Sequence, residues 1–437
     1  MENTHILSPP VSPSKISESQ KYFWLISYAL FLIFCGFLVN SPSRILSGIF
    51  RIMTSSGNLF TDYIQIGSLG SALVNSGLLT LLNTLLAKKL KIKLSGPLTA
   101  ALYTMCGFSF FGKNLFNSLP ILLGVYLYSK WTKTPFSRHI LLALFGTALA
   151  PAVSFVTFGL KLALVFSFPL GLLTGLIIGF ILGPLAGHFV SFHQGFNLYN
   201  IGFTAGIIGM LVTAILRITG HQVENVHYLS SGHNLFLATI LYFSFFILAI
   251  IGFISNHYSC QGLAKIWQSS GKLISDFQQI GGYGPTLINM ASLGIFATTY
   301  VLLIGGSLNG PVLGGIYTVV GFGAYGKHLK NCIPVMLGVL FLCLLKGLNP
   351  ADTSIILTTL FGTTLAPICG YYGAFWGLLA GALHLSLVSN VGWLHGGLNL
   401  YNNGLSGGFI AALMVPLLDT LHQVKKEQHD EQRKKKG

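Results

Sequence analysis

The chain has 437 residues, of which 52% are hydrophobic and 8% charged, with a formal net charge of +15. Soluble chains carry roughly 25% charged residues, so there is too little charge here to cover a water-facing surface, and a soluble globular protein is excluded. The excess of Lys and Arg gives no ground for a nucleic-acid partner, because basic loops and tails are ordinary in membrane proteins.

Residues 1–21 are polar and rich in Ser and Pro. They lack the basic start, short apolar core and small-residue cleavage site of a signal peptide, and the expectation is a disordered cytoplasmic tail. Seven apolar segments follow, at 22–40, 66–87, 95–111, 116–129, 139–158, 168–187 and 196–217. Residues 22–217 form a first transmembrane repeat, 218–237 an extracytoplasmic linker, 238–419 a second repeat, and 420–437 a basic cytoplasmic tail. That tail ends in Arg433, Lys434, Lys435 and Lys436, suited to an anionic cytoplasmic leaflet. The long segments have the roughly 20 residues that a bilayer core requires of a helix. Cys35, Cys106, Cys260, Cys332, Cys343 and Cys369 are scattered and read as small apolar residues.

The duplication is explicit. Ser55-Ser-Gly-Asn-Leu-Phe-Thr-Asp62-Tyr-Ile-Gln65-Ile-Gly67-Ser-Leu-Gly70, then Asn75, returns as Ser269-Ser-Gly-Lys-Leu-Ile-Ser-Asp276-Phe-Gln-Gln279-Ile-Gly281-Gly-Tyr-Gly284, then Asn289. At the same offset Gly96-Pro97, Gly107, Gly112-Lys113 and Asn117 match Gly310-Pro311, Gly321, Gly326-Lys327 and Asn331. Phe145-Gly-Thr-Ala-Leu-Ala-Pro151 then matches Phe361-Gly-Thr-Thr-Leu-Ala-Pro367. After an insertion in the first copy, His193-Gln-Gly-Phe-Asn197-Leu-Tyr199-Asn200 matches His395-Gly-Gly-Leu-Asn399-Leu-Tyr401-Asn402.

An odd number of spans per copy inverts the second copy, and the charges agree. Lys88, Lys89, Lys91 and Lys93 follow the second segment of copy one, whereas residues 305–309 of copy two carry no charge. Equivalent loops that differ in this way belong on opposite sides, with both termini cytoplasmic. Segments 95–111 and 116–129 are too short for ordinary spans, and Gly107, Gly112 and Asn114 interrupt them. Such a pair in both copies marks broken or re-entrant helices. Non-helical backbone at membrane depth is tolerated only where protein buries it or it lines a water-filled cavity. The expected fold is therefore all-α: a polytopic transmembrane helical bundle of two tandem, inverted repeats in the cell membrane, with a solute pathway between them.

Candidate residues follow from the repeat. Asp62 and Asp276 are two of only four acidic residues between positions 25 and 415; a carboxylate near membrane depth is costly and usually functional, which makes them candidates for coupling or gating, with a helix-start role as the alternative. His193 and His395 titrate near neutrality and join them as gating candidates. Asn197 and Asn200, like Asn399 and Asn402, stand three apart and would share a helical face if the helix has begun. With Tyr199 and Tyr401 they offer neutral hydrogen-bonding groups to a solute. Asn75, Asn289, Lys113 and Lys327 complete the solute-binding set; the lysines could face an anion or snorkel to the interface. The Gly171-Gly175-Gly179-Gly183-Gly187 ladder reads as helix packing. His221, His227 and His233 lack the clustering of a metal site. Neither metal nor cofactor is expected.

The whole chain resembles a family of uncharacterised bacterial polytopic membrane proteins, through the duplicated Asn-Leu-Tyr-Asn and Asp–Gln–Gly stretches; that resemblance implies no activity. Gly397-Leu-Asn-Leu-Tyr401-Asn402-Asn-Gly-Leu405 and Gly96-Pro97-Leu98-Thr99 are similar to signature motifs of urea transporters, which implies an inverted-repeat channel. The paired lysines have no counterpart in those motifs. The expected function is a transporter or channel for a small polar solute, with the lipid bilayer as partner and a composition compatible with a homo-oligomer. A scaffold or sensor without transport is the alternative. An enzyme is not expected, because clustered acids, His or metal ligands are absent from the sequence pattern.

Overall fold

The computed structural model describes residues 16–57, 60–223 and 227–436. Helix α1, Glu18–Val39, starts inside the stretch expected to be a tail, because Ser17 and Gln20 form a capping box that satisfies the first free amides. An amphipathic helix, Pro42–Met53, lies across the chain beyond it, burying Ile45, Gly48 and Ile52. The rest of repeat one is α2 (Leu69–Lys89), α3 (Gly96–Phe108), α4 (Leu115–Trp131), α5 (Phe136–Gly159), α6 (Leu164–Phe192) and α7 (Asn200–Ile218). Repeat two follows in the same order. Its helices are α8 (Asn234–Ser255), α9 (Tyr283–Leu303), α10 (Gly310–Phe322), α11 (Leu329–Leu345), α12 (Thr353–Tyr372), α13 (Ala374–Val391) and α14 (Asn402–Lys436). The basic C-terminal stretch is thus the end of a helix rather than a separate tail.

Among the described residues, ten helices are long and apolar enough to cross a membrane. Phe34, Leu38, Trp131, Val165, Phe166, Leu303 and Phe375 point outward from the bundle, an arrangement that suits hydrocarbon and not water. This is a polytopic helical membrane protein. Helices α3 and α10 have 13 residues and α4 and α11 have 17, so these pairs are short in both copies. α4 begins earlier than the position of Pro120 implies. Asn114 and Asn117 cap it reciprocally, and Pro120 falls inside the helix.

Within each repeat the same helices pack: α1 on α2 and α4 on α6, then α8 on α9 and α11 on α13. Between repeats, equivalent helices meet: α3 packs on α10, and α7 on α14. The start of each short helix lies against the end of the other. A methyl group at Gly96 would stand 2.3 Å from the Ala324 carbonyl oxygen, and one at Gly310 would stand 2.4 Å from that of Phe110. Further along, Gly107 faces Gly314 and Gly321 faces Ala100. α3 and α10 therefore run antiparallel.

The glycine ladder of α6 packs as expected at four positions. Gly171, Gly175, Gly179 and Gly183 lie against Thr157, Pro120, Ile121 and Tyr128, but Gly187 has open space beside it. Small residues of this kind let helix backbones approach in lipid. A Cβ at Gly107 would come within 2.7 Å of the Tyr317 Cβ. Gly107→Ala should lower stability by about 1–3 kcal/mol through overpacking, while Gly187→Ala should be neutral or mildly stabilising. Thermal unfolding in detergent compares the two, and equal effects would mean that α3 and α10 are not closely packed.

Candidate functional site

The breaks between the short helices are built alike. Gly112 and Gly326 take φ of +79° and +101°, values that favour glycine, and turn the chain so that Lys113 and Lys327 follow. Asn75 donates from Nδ2 to the carbonyls of Ser109 (2.7 Å) and Lys113 (2.9 Å). Asn289 does the same for Gly323 (2.7 Å) and Lys327 (2.8 Å). Asn117 and Asn331 donate to the carbonyls of Gly112 and Gly326, both at 2.9 Å. Carbonyls freed at a helix end must be satisfied when water is absent, and these four amides do so. Asn75 and Asn289 thus have both amide hydrogens committed to backbone.

Asp62 caps the short helix Tyr63–Ile66. Its Oδ1 accepts from the Ile64 amide (2.8 Å), and its Oδ2 from the Ser230 amide (2.9 Å) and hydroxyl (2.5 Å). The same carboxylate lies against Gly310, the first residue of α10. Asp276 caps Phe277–Ile280 and accepts from the Gln278 amide at 3.0 Å and from the amide of Gly96, first residue of α3, at 3.2 Å. Each carboxylate thus sits at the positive end of the other repeat's short helix. Because α3 and α10 are antiparallel, and 13 residues of helix span about 20 Å, the two acids stand at opposite ends of that pair and not at one site.

The Asn-Leu-Tyr-Asn elements differ from the shared-face expectation. Their helices begin at Asn200 and Asn402, so Asn197 and Asn399 lie in the preceding loops. Asn197 donates to the Gly404 carbonyl (2.9 Å) and Asn399 to that of Gly202 (3.3 Å), each crossing to the other repeat. Asn200 Oδ1 accepts from His193 Nε2 (3.0 Å) and Asn402 Oδ1 from His395 Nε2 (2.6 Å). Both imidazoles are buried, and the Nδ1 of each has no hydrogen-bond partner among the described residues.

The crossing brings together Tyr199, Tyr401 and the two lysines. The tyrosine rings touch at 4.9 Å between centroids. Phe322 stands 4.8 Å from Tyr199, and Phe108 stands 4.7 Å from Tyr401. Phe145 and Phe361 close the cluster, 5.7 Å from Phe322 and 5.8 Å from Phe108 respectively. The six rings are three pairs of residues at equivalent positions in the two repeats. Lys327 Nζ lies 4.5 Å from the Tyr199 ring and donates to the Tyr199 hydroxyl (2.5 Å) and Thr363 Oγ1 (2.7 Å). Lys113 Nζ lies 5.0 Å from the Phe108 ring and reaches only the Leu144 carbonyl, at 3.5 Å. Both lysines are fully buried, and among the described residues neither forms an ion pair.

Of the residues marked by the sequence, Lys113, Lys327, Tyr199 and Tyr401 thus converge, with Asn197 and Asn399 bracing them. Phe108, Phe145, Phe322 and Phe361 were not anticipated. Their signal was present, since Phe108 aligns with Phe322 and Phe145 with Phe361, but an apolar match in an apolar chain does not stand out.

A family model described as "Protein of unknown function (DUF1576)" matches residues 41–218 and 255–420. The chain belongs to this family of helical membrane proteins of unknown function, and the two matched segments fall on the two repeats. No curated protein and no solved structure matches it.

Removing the cap carboxylates separates their roles. Asp62 is fully buried and Asp276 partly exposed, and a hydrogen bond to a charged group contributes about 1.5–3 kcal/mol. Asp62→Ala should therefore lower the thermal midpoint in detergent more than Asp276→Ala. The reverse order would mean that the capping geometry does not set stability.

Proposed function

We propose that the protein is a transporter or channel for a small polar solute, multi-pass in the cell membrane, whose route runs between two inverted repeats through the six-ring cluster. The observation that carries this reading is the pair of fully buried lysines approaching one aromatic cluster from opposite repeats without an ion-pair partner among the described residues. Burial without a counter-charge is costly for an amine whether it keeps its proton or sheds it. Packing alone does not require two of them. Ionisable groups at membrane depth mark substrate and ion pathways.

Two further features support the route. A vestibule of about 190 Å³, lined in part by Ser354, Thr358, Leu400, Asn402 and Asn403, leads to Phe361 of the cluster. The aromatic rings then act as a constriction between this vestibule and the opposite face. In this reading Asp62 and Asp276 hold the short helices, and Asn75, Asn289, Asn197 and Asn399 hold the broken backbone. Tyr199, Tyr401, Lys113 and Lys327 meet the solute. No catalytic role is assigned.

The inverted arrangement is supported by the antiparallel packing of α3 and α10 together with the charge pattern. The Lys-rich loop before α3 and the uncharged loop before α10 lie at opposite ends of that pair, as the positive-inside rule requires with both termini cytoplasmic. A reporter fused after His233 should read as extracytoplasmic, and a cytoplasmic signal would overturn the orientation. Purified protein in proteoliposomes should pass small polar solutes, and Phe361→Trp should slow that flux by narrowing the constriction. A well-folded preparation that moves no small solute, charged or neutral, would sink the transport reading in favour of a scaffold or sensor.

A further inference from the structure

The two repeats differ where the vestibule lies. Ser354 and Ser389, both exposed, stand at its mouth, and Phe361, Leu400, Asn402 and Asn403, all buried, line its inner part. Asn402 and Asn403 are only 8% and 5% exposed. Their side-chain oxygens are taken: His395 Nε2 donates to Asn402 Oδ1 (2.6 Å) and His384 Nε2 to Asn403 Oδ1 (2.8 Å). An amide oxygen only accepts, so each fully buried imidazole fixes which end of its amide is left over. The Nδ2 groups are left. Among the described residues neither has a hydrogen-bond partner, and neither is sealed in by protein. Asn402 Nδ2 is also the atom that a Cβ at Gly392, a wall of the same cavity, would meet, at 3.9 Å. The same positions in repeat one are paired or apolar. Asn200, the counterpart of Asn402, donates from Nδ2 to the Ala186 carbonyl at 2.9 Å. Ile201 stands for Asn403 and Leu142 for Thr358. Leu182 stands for His384: a Cβ at Gly362 would be 3.0 Å from His384 Cδ2, and one at the equivalent Gly146 would be 2.6 Å from Leu182 Cδ1. Leu142, Leu182 and Ala186 belong to one apolar cluster with Ile201 packed against it. Buried polar groups are normally paired, so two oriented, unpaired amides at a cavity in one copy alone call for a ligand.

We propose, on the transport reading above, that this vestibule is the solute's binding site, and that the solute is a small uncharged molecule whose carbonyl or hydroxyl oxygen is held by the Nδ2 groups of Asn402 and Asn403. Two amide nitrogens bring four N–H donors. Ser389 and Thr358 spend their hydroxyl protons on the carbonyls of Leu385 and Ser354, both at 2.8 Å, and so meet a ligand as acceptors. Among the described residues no Lys, Arg, Asp, Glu or His lines the cavity. An ion entering it would lose hydration without gaining a counter-charge, whereas the groups of a neutral solute are matched by neutral partners. A volume of about 190 Å³ has room for a few water-sized groups, which limits the solute to a handful of heavy atoms. Leu400, at the inner end, also lies against Gly112, 2.5 Å from a Cβ placed there, so the site adjoins the broken backbone that precedes Lys113. His384 and His395 do not line the cavity; they are positioning residues that orient the two amides.

The test uses the full chain. In proteoliposomes acetamide and glycerol are the neutral probes and formate and methylammonium the charged ones, each read above the leak of empty vesicles. In detergent, saturation transfer from the protein to the acetamide methyl protons reads binding without flux. Wild type should bind acetamide and pass acetamide or glycerol faster than either ion. Asn403→Ile with His384→Leu installs the side chains that repeat one carries at these positions, and should cut acetamide binding and neutral flux about tenfold, the worth of one hydrogen bond. Asn403→Ile alone should do the same should the double variant not fold. His384→Gln, whose Nε2 can still donate to Asn403, should retain most of both. Binding and neutral flux unchanged in the folded variants would overturn the site and leave the transport reading standing. Flux of the ions without flux of acetamide or glycerol would overturn the assigned solute class. A wild type that neither binds acetamide nor moves either neutral probe would overturn the proposal. Acetamide binding that the variants lose, with no flux of any probe, would keep the site and overturn the transport reading.

Discussion

A backbone that stops being helical inside a bilayer has to find its hydrogen-bond partners within the protein, because hydrocarbon offers none. This chain breaks twice at equivalent places, after α3 and after α10. Each break frees carbonyls that Asn75 and Asn117, or Asn289 and Asn331, then occupy. Once the breaks are closed, their position sets the rest. The short helices can pack start against end, and the turn through Gly112 or Gly326 leads the following lysine to the same interior cluster.

The repeats are joined by a reciprocal exchange of hydrogen bonds as well as by apolar contact. Asp62 serves the start of α10 and Asp276 the start of α3, while Asn197 and Asn399 reach across to the carbonyls of Gly404 and Gly202. In lipid there is little hydrophobic drive to hold helices together, so close packing of small residues and interhelical hydrogen bonds carry the association. The correspondence is not complete, since Lys327 has two short hydrogen bonds where Lys113 has one at 3.5 Å.

Which residues gather where the repeats meet was partly legible. The matching of copies marked Lys113, Lys327, Tyr199 and Tyr401, and the structure places these four at one crossing. The same matching marked Asp62, Asp276, Asn75 and Asn289 with equal force, and their geometry commits them to helix ends and broken backbone. Duplication preserves a cap as faithfully as it preserves a ligand contact, so the repeat cannot separate the two. Partners distant along the chain make the separation, such as Ser230 for Asp62, or Thr363 for Lys327.

Hydrophobicity, span length and the internal repeat were enough to establish a duplicated helical membrane protein, because the bilayer imposes those features locally on the chain. The helix starts after Ser17 and Asn114 were not anticipated, although the capping pairs that set them stand only three residues apart. The antiparallel meeting of α3 with α10, the six-ring cluster and the unequal lysines were decided only by the tertiary structure. They arise where residues from both repeats meet, and no periodicity within either repeat encodes which side chain stands opposite another.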